Sequence, residues 1–103
     1  MNYTDTTMTP ADVQALPGQT ILEFGADYCG HCQGAQPIID SALSNLKGVR
    51  HIKIEDGKGR PLGRNFKVKL WPTLILLNNG VEVARVVRPE GVAAIEQMMA
   101  PAT

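Results

Sequence analysis

Apolar and polar positions along this chain switch between two periods, and the switches mark out its elements. Thr9-Pro10-Ala11-Asp12 is a helix-opening signal with proline at the first helical position, and Pro17-Gly18 closes a short helix that runs to about Leu16. Ile21 to Phe24, entered from Thr20, reads as a buried strand. From Cys29 to Leu46 the apolar set Ala35, Ile38, Ile39, Ala42, Leu43 and Leu46 has helical spacing, and Gly48 suits the position just past the helix end. Pro37 falls inside that helix, where it removes an amide donor and crowds the preceding turn, so a kink is expected. Val49 to Ile54 reads as a second core strand and Pro61 to Phe66 as a short helix. Thr73 to Leu77 and Val81 to Val87 flank Asn78-Asn79-Gly80, where Asn-Gly signals a tight hairpin. Pro89 to Met99, with Val92, Ile95, Met98 and Met99 on one stripe, makes a closing helix. Helix-linked strands pair in parallel and the hairpin adds antiparallel ones. The pattern therefore predicts an α/β fold with a central mixed sheet and helices on both faces.

Composition narrows this picture without redirecting it. A chain of 103 residues is expected to form a single domain, 1–103, large enough to bury a core without staples or metals. Ten basic and ten acidic residues leave a formal net charge of zero, which gives no electrostatic case for nucleic acid or an anionic membrane as partner. Met1-Asn2-Tyr3-Thr4-Asp5 has neither a basic region nor an apolar core, and the longest strongly apolar run, Leu74 to Leu77, is far too short to span a bilayer. The expectation is a soluble, cytoplasmic monomer. Lys58, Arg60, Arg64, Lys67 and Lys69 gather half of the basic residues; with Gly57, Gly59 and Gly63 among them they read as a solvated loop and helix face rather than a binding surface.

Chemistry enters with Cys29-Gly30-His31-Cys32, which holds the only two cysteines of the chain. If the helix starts at Cys29, the two sulfurs lie on one face and can close a disulfide across a single turn. The first sulfur then points out of the helix N-terminus, where unpaired amides and the helix dipole favour a thiolate, which makes Cys29 the nucleophile. Cys32, one turn inward, is the resolving thiol. A structural zinc site fits poorly: it needs about four ligands, and beyond the cysteines only His31 and His51 are available, His31 lying inside the short loop. A purely structural disulfide closing so short a loop would constrain the unfolded chain little. The pair therefore reads as redox-active, with no metal and no other cofactor expected.

Over nearly its whole length the chain resembles the thioredoxin family. The residues that carry the resemblance are Phe24 to Cys32, Pro37 five residues after the second cysteine, Trp71-Pro72-Thr73, and Asn79-Gly80 at the hairpin. The resemblance implies the thioredoxin fold with a four- to five-stranded sheet, a reactive Cys29, a resolving Cys32, and a cis peptide before Pro72 whose strand backbone docks the substrate polypeptide. It makes Tyr28, Gly30, Trp71, Pro72 and Thr73 the substrate-binding candidates. Gly-His between the cysteines looks like the protein disulfide isomerase form of the motif, and a partly protonated His31 beside Cys29 is expected to favour the thiolate and make the pair more oxidising.

Three positions depart from the family pattern. Gly25 and Tyr28 stand where tryptophans are usual, which removes bulk around the cysteines. Arg88 follows the last strand where the family often has glycine, placing a cation at the rim of the peptide groove, where it is expected to favour acidic segments beside the target disulfide. The short N-terminus leaves open whether Tyr3 and its neighbours form the family's first strand.

Glu23 interrupts a strand at the centre of the sheet, a place that penalises charge. The resemblance puts an aspartate here, behind the second cysteine, passing a proton to or from that thiol through water. Lys53 on the neighbouring strand is the expected cationic partner. If burial dominates, the Glu23 pKa rises, and Glu23→Gln stabilises the fold near neutral pH. The function expected from the whole motif set is reduction of protein disulfides, with a recycling reductase or thiol donor as second partner. Two other readings stay open: an oxidant or isomerase, favoured by His31, and a non-catalytic interaction module on the same fold.

Overall fold

In the computed structural model, which describes residues 3–100, the elements follow in the predicted order: α1 (Pro10–Gln14), β1 (Gln19–Gly25), α2 (Gly30–Ser44), β2 (Val49–Glu55), α3 (Pro61–Asn65), β3 (Thr73–Asn78), β4 (Val81–Val87) and α4 (Val92–Met99). The strands form one four-stranded sheet in the order β2-β1-β3-β4, with β1 parallel to β2 and antiparallel to β3, and β3 antiparallel to β4. This is the mixed sheet that the alternation of helices and hairpin requires. Among the described residues, a fifth strand is represented by a single parallel bridge between Thr4 and Ile54, tied by Thr4 N–H to the Lys53 carbonyl (3.1 Å) and Glu55 N–H to the Thr4 carbonyl (2.9 Å).

Alternation along β1 and β3 divides the core between two faces. Ile21, Leu74 and Leu76 pack against Ala35, Ile39 and Ala42 of α2 and Ile95 and Met98 of α4. Leu22, Phe24, Ile75 and Leu77 pack against Val13 of α1 and Leu62 of α3 on the opposite face. Every apolar side chain from Ile21 to Phe24 and from Leu74 to Leu77 is fully buried. Burial of each contributes about 2 kcal/mol. The two central strands are thus a rigid platform for whatever stands at their ends.

Local signals account for the element ends. Thr9 caps α1 through a reciprocal capping box with Asp12, and Pro10 opens the helix. Asn79 and Gly80, with φ of 51° and 80°, make the left-handed hairpin turn that Asn-Gly favours. A Cβ at Gly80 would meet the Gln14 carbonyl at 2.1 Å, so glycine is also required by the close approach of α1. Pro37 lies within α2, which continues through it to Ser44. The closing helix begins at Val92 rather than Pro89, since Gly91 is its cap.

Candidate active site

Both cysteines are free thiols at the N-terminus of α2. Cys29 is the cap residue, with extended backbone, and its Sγ accepts a hydrogen bond from the Cys32 amide at 3.2 Å. A sulfur held in this way faces the amide end of the helix, where negative charge is favoured. The two thiols differ in access: Cys29 is partly exposed, whereas Cys32 is fully buried. Burial, assisted by the neighbouring Cys29 sulfur, pushes the Cys32 thiol up to about 11, against the opposing pull of the Ala26 backbone and the Tyr3 hydroxyl. At neutral pH such a thiol is held protonated.

The Trp71-Pro72 bond is cis, as the resemblance implies. Around it the polar groups are already engaged. Trp71 Nε1 donates to Asp56 Oδ2 at 2.8 Å, and the Tyr28 ring stands edge-on to the Trp71 ring with centroids 6.1 Å apart. Tyr28 is 75% exposed, so it is an aromatic surface beside Cys29 rather than packing material. Thr73 is buried, and its hydroxyl donates to the Leu70 carbonyl at 2.6 Å. Arg88 adopts a left-handed backbone (φ 49°), its N–H donates to the Pro72 carbonyl at 2.9 Å, and its Nε donates to the Trp71 carbonyl at 2.8 Å. The cation expected at the rim is thus anchored to the same backbone that would receive a substrate strand. Gly30, His31, Gly34, Ala35, Ile38 and Arg88, with Pro89 and Glu90, line an open cleft of about 650 Å³ next to the cysteines. His31 is exposed at its edge.

The thioredoxin family model matches residues 4–101. The chain belongs to the thioredoxin family. Among solved structures it resembles thioredoxin 2 from Pseudomonas aeruginosa PAO1 in its reduced form, with 46% identity, a TM-score of 0.86, and coverage of 96% of this chain and 92% of that one. It is 36% identical over 70 residues to a thioredoxin of Chlamydia pneumoniae, covering 68% of this chain and 69% of the relative. It is also 29% identical over 86 residues to the bifunctional thioredoxin reductase/thioredoxin of Mycobacterium leprae, a match that spans 82% of this chain and 19% of that longer protein.

Within this thioredoxin site, the space left by the glycine at position 25 is not empty. A Cβ on Gly25 would lie 2.7 Å from Cys32 Sγ and 2.7 Å from Cζ of Tyr3, so Tyr3 fills the hollow and packs against the same glycine as the thiol. The expected loss of bulk is therefore offset from the N-terminal segment. Tyr3 is 5% exposed and is held by its own N–H, which donates to Asp27 Oδ1 at 3.0 Å.

Glu23 is fully buried, as its central position predicts. Its surroundings differ from the expected pair with Lys53. The Tyr3 hydroxyl donates to Glu23 Oε2, Gln36 Nε2 donates to the same oxygen at 2.9 Å, and His51 Nε2 meets Oε1 at 2.8 Å. Lys53 pairs in register with Glu23, yet its Nζ donates to Gln36 Oε1 at 2.6 Å and stands 4.9 Å from the centre of the Tyr3 ring. Lys53 reaches the carboxylate through its field and through Gln36, and His51 makes the direct contact.

This set of partners reverses the expected pKa direction. Burial, the largest single influence, pushes Glu23 up, but hydrogen bonds from His51, Tyr3 and Gln36 and the charge of Lys53 together outweigh it, and the carboxyl lies below its ordinary value. Gln36 and His51 had partial signals in the sequence. Gln36 lies one helical turn beyond Cys32, on the same face, and His51 alternates with Lys53 on β2. Tyr3 had none, because its contact with Glu23 spans 20 positions and no regular element carries it there.

Among the described residues there is no cluster of three or more histidine, cysteine or acidic side chains that could hold a metal ion, and no helix long and apolar enough to cross a membrane.

Proposed function

We propose that this protein is a thiol-disulfide oxidoreductase that reduces protein disulfides through Cys29 and Cys32. The observation that carries this reading is the asymmetry of the two thiols: one accessible sulfur at the helix N-terminus, one buried sulfur a turn behind it. Cys29 thiolate attacks a substrate disulfide and forms a mixed disulfide, expelling one substrate thiolate. Cys32 loses its proton and attacks the Cys29 sulfur. The bond to substrate breaks, the second substrate thiolate leaves and is protonated, and Cys29-Cys32 is left oxidised. Glu23 is the base for the second step, standing ionised behind Cys32. Trp71, Pro72 and the surfaces of Tyr28 and Gly30 form the docking ledge for the substrate chain. The M. leprae relative carries a thioredoxin reductase in the same polypeptide, which supports a reductase as the electron donor here. Disulfide reduction in an insulin assay with dithiothreitol as donor tests the reading; a folded protein that accelerates the reaction no more than Cys29→Ser would refute it.

His31 favours a second reading, since an exposed imidazole between the cysteines is suited to an oxidant or isomerase. His31→Pro is expected to lower the reduction potential by tens of millivolts, about 30 mV corresponding to 1.4 kcal/mol for this couple. Equilibration with a glutathione buffer measures it, and an unchanged or higher potential would remove His31 from the redox tuning.

Arg88 supplies a specificity element to the proposed ledge. Arg88→Gly frees the Trp71 carbonyl and relieves a left-handed backbone that glycine adopts without penalty, so stability should change by less than about 1 kcal/mol while the preference for acidic peptide disulfides falls. Equal rates for acidic and basic peptides in both proteins would eliminate this role.

A further inference from the structure

Among the buried groups around Glu23, Tyr3 adjoins both the carboxylate and the Cys32 thiol. Cys32 and Tyr3 share the hollow over Gly25, with the thiol sulfur and the hydroxyl-bearing carbon of the ring both 2.7 Å from the position a Cβ would take. The Tyr3 hydroxyl in turn donates to Glu23 Oε2. Gln36 Nε2 lies within hydrogen-bond distance of the Tyr3 hydroxyl (3.2 Å), Glu23 Oε2 (2.9 Å) and the Cys32 backbone carbonyl (3.2 Å), so one amide, its two hydrogens shared among three acceptors, ties the phenol and the carboxylate to the backbone of Cys32.

Resting on the disulfide-reductase reading, we propose that Tyr3 is the proton carrier between Cys32 and Glu23, so that the thiol is deprotonated through a phenol belonging to this chain. In the resolving step the Cys32 S–H proton passes to the Tyr3 oxygen as the phenol proton passes to Glu23 Oε2. The tyrosine ends neutral, as it began, and the carboxylate becomes a carboxylic acid. The Cys32 sulfur bonds to the Cys29 sulfur, the bond from Cys29 to the substrate sulfur breaks, and the two electrons of that bond leave with the substrate thiolate. No other reactant is needed.

The geometry explains why a phenol is suited to this place. Cys32 is fully buried and Tyr3 nearly so, and the hollow over Gly25 is filled by the two side chains themselves. A tyrosine hydroxyl both donates and accepts, which a relay requires. The charged and titratable groups facing it are Glu23 from β1, His51 and Lys53 from β2, and Cys32 from α2. His51 on Oε1 and Gln36 on Oε2 fix the carboxylate with one oxygen toward the phenol.

Ellman's reagent separates the two steps, because attack by Cys29 releases one thionitrobenzoate and attack by Cys32 releases a second. In Tyr3→Phe the ring still fills the hollow, the first release is expected to keep its rate, and the second to slow about a hundredfold or more, as loss of a general acid-base path does. Glu23→Gln is run beside it. If the second release is slowed in Glu23→Gln and unchanged in Tyr3→Phe, the relay is wrong and Glu23 as base survives; if neither variant slows it, both ideas fall. A protein with 3,5-difluorotyrosine in place of Tyr3 keeps the hydroxyl and its hydrogen bond but has a more acidic phenol. A hydroxyl that only props Glu23 leaves the second release unchanged in that protein, which would overturn the proposal even if Tyr3→Phe is slow or unstable. A several-fold change in that rate supports it.

Discussion

Cys29→Ser is expected to lower disulfide reduction by at least about a thousandfold, to the rate of the donor thiol alone, because a serine hydroxyl is not ionised near neutral pH and the remaining thiol, Cys32, is buried. Cys32→Ser is expected to give a different failure. Cys29 still attacks, but the mixed disulfide has no neighbour to resolve it, so the protein accumulates one covalently attached substrate per chain. The asymmetry rests on access and on ionisation: Cys32 is fully buried, with its thiol pushed up to about 11. Brief treatment of the reduced protein with iodoacetamide near pH 7 should therefore modify Cys29 and spare Cys32, as read by peptide mass. Preferential modification of Cys32, or a trapped adduct in Cys29→Ser rather than in Cys32→Ser, would exchange the two roles.

Glu23→Gln carries the second large effect, and its sign follows from the partners of the carboxylate. Oε2 receives both the Tyr3 hydroxyl and the Gln36 amide, so it must remain an acceptor; the new amide nitrogen would then face His51 Nε2. Hydrogen bonds to a charged acceptor contribute about 1.5–3 kcal/mol each, neutral ones about 1, so a loss of about 2 kcal/mol in stability at pH 7 is expected. Because the folded-state pKa lies below the ordinary 4.5, the unfolded chain binds this proton more readily than the native state. The stabilisation is then complete above about 4.5 and is lost as pH falls through the lower folded value. Urea unfolding of both proteins across the acid range checks this: the gap between them should be widest at neutral pH and close toward low pH. A variant more stable than the parent at pH 7 would mean that burial outweighs the four partners after all. The same variant should slow the resolving step while leaving the first attack nearly intact, in keeping with its proposed role as base.

Much of this protein was legible from local pattern. Element order, the hairpin turn, the α1 cap and the mixed sheet follow from spacings of one to four residues, since the helix and strand periods and the turn preferences of Pro, Gly and Asn act over that range. The family resemblance likewise rested on contiguous motifs, and the cysteines stand where their spacing to the helix start placed them. Burial of Glu23 was also readable, because a carboxylate in an apolar strand has nowhere else to point.

What compensates that burial was decided by tertiary structure. Lys53 is adjacent to Glu23 in register, but a long side chain goes where its charge finds the best partner, and here that is Gln36 Oε1 and the face of the Tyr3 ring. His51 takes the direct contact. The result inverts the sign expected for the Glu23 pKa, since several hydrogen bonds to the ionised form compete with desolvation and only their sum sets the direction. Gly25 read alone as missing bulk, and Arg88 as a cation at the groove rim; the first is filled by Tyr3 from the N-terminal segment, and the second is fastened to the Trp71 carbonyl. Sequence periodicity reports which face a residue occupies. It carries no information on which distant side chain arrives there, because that depends on how the N-terminal segment, β2 and α2 close over β1 together.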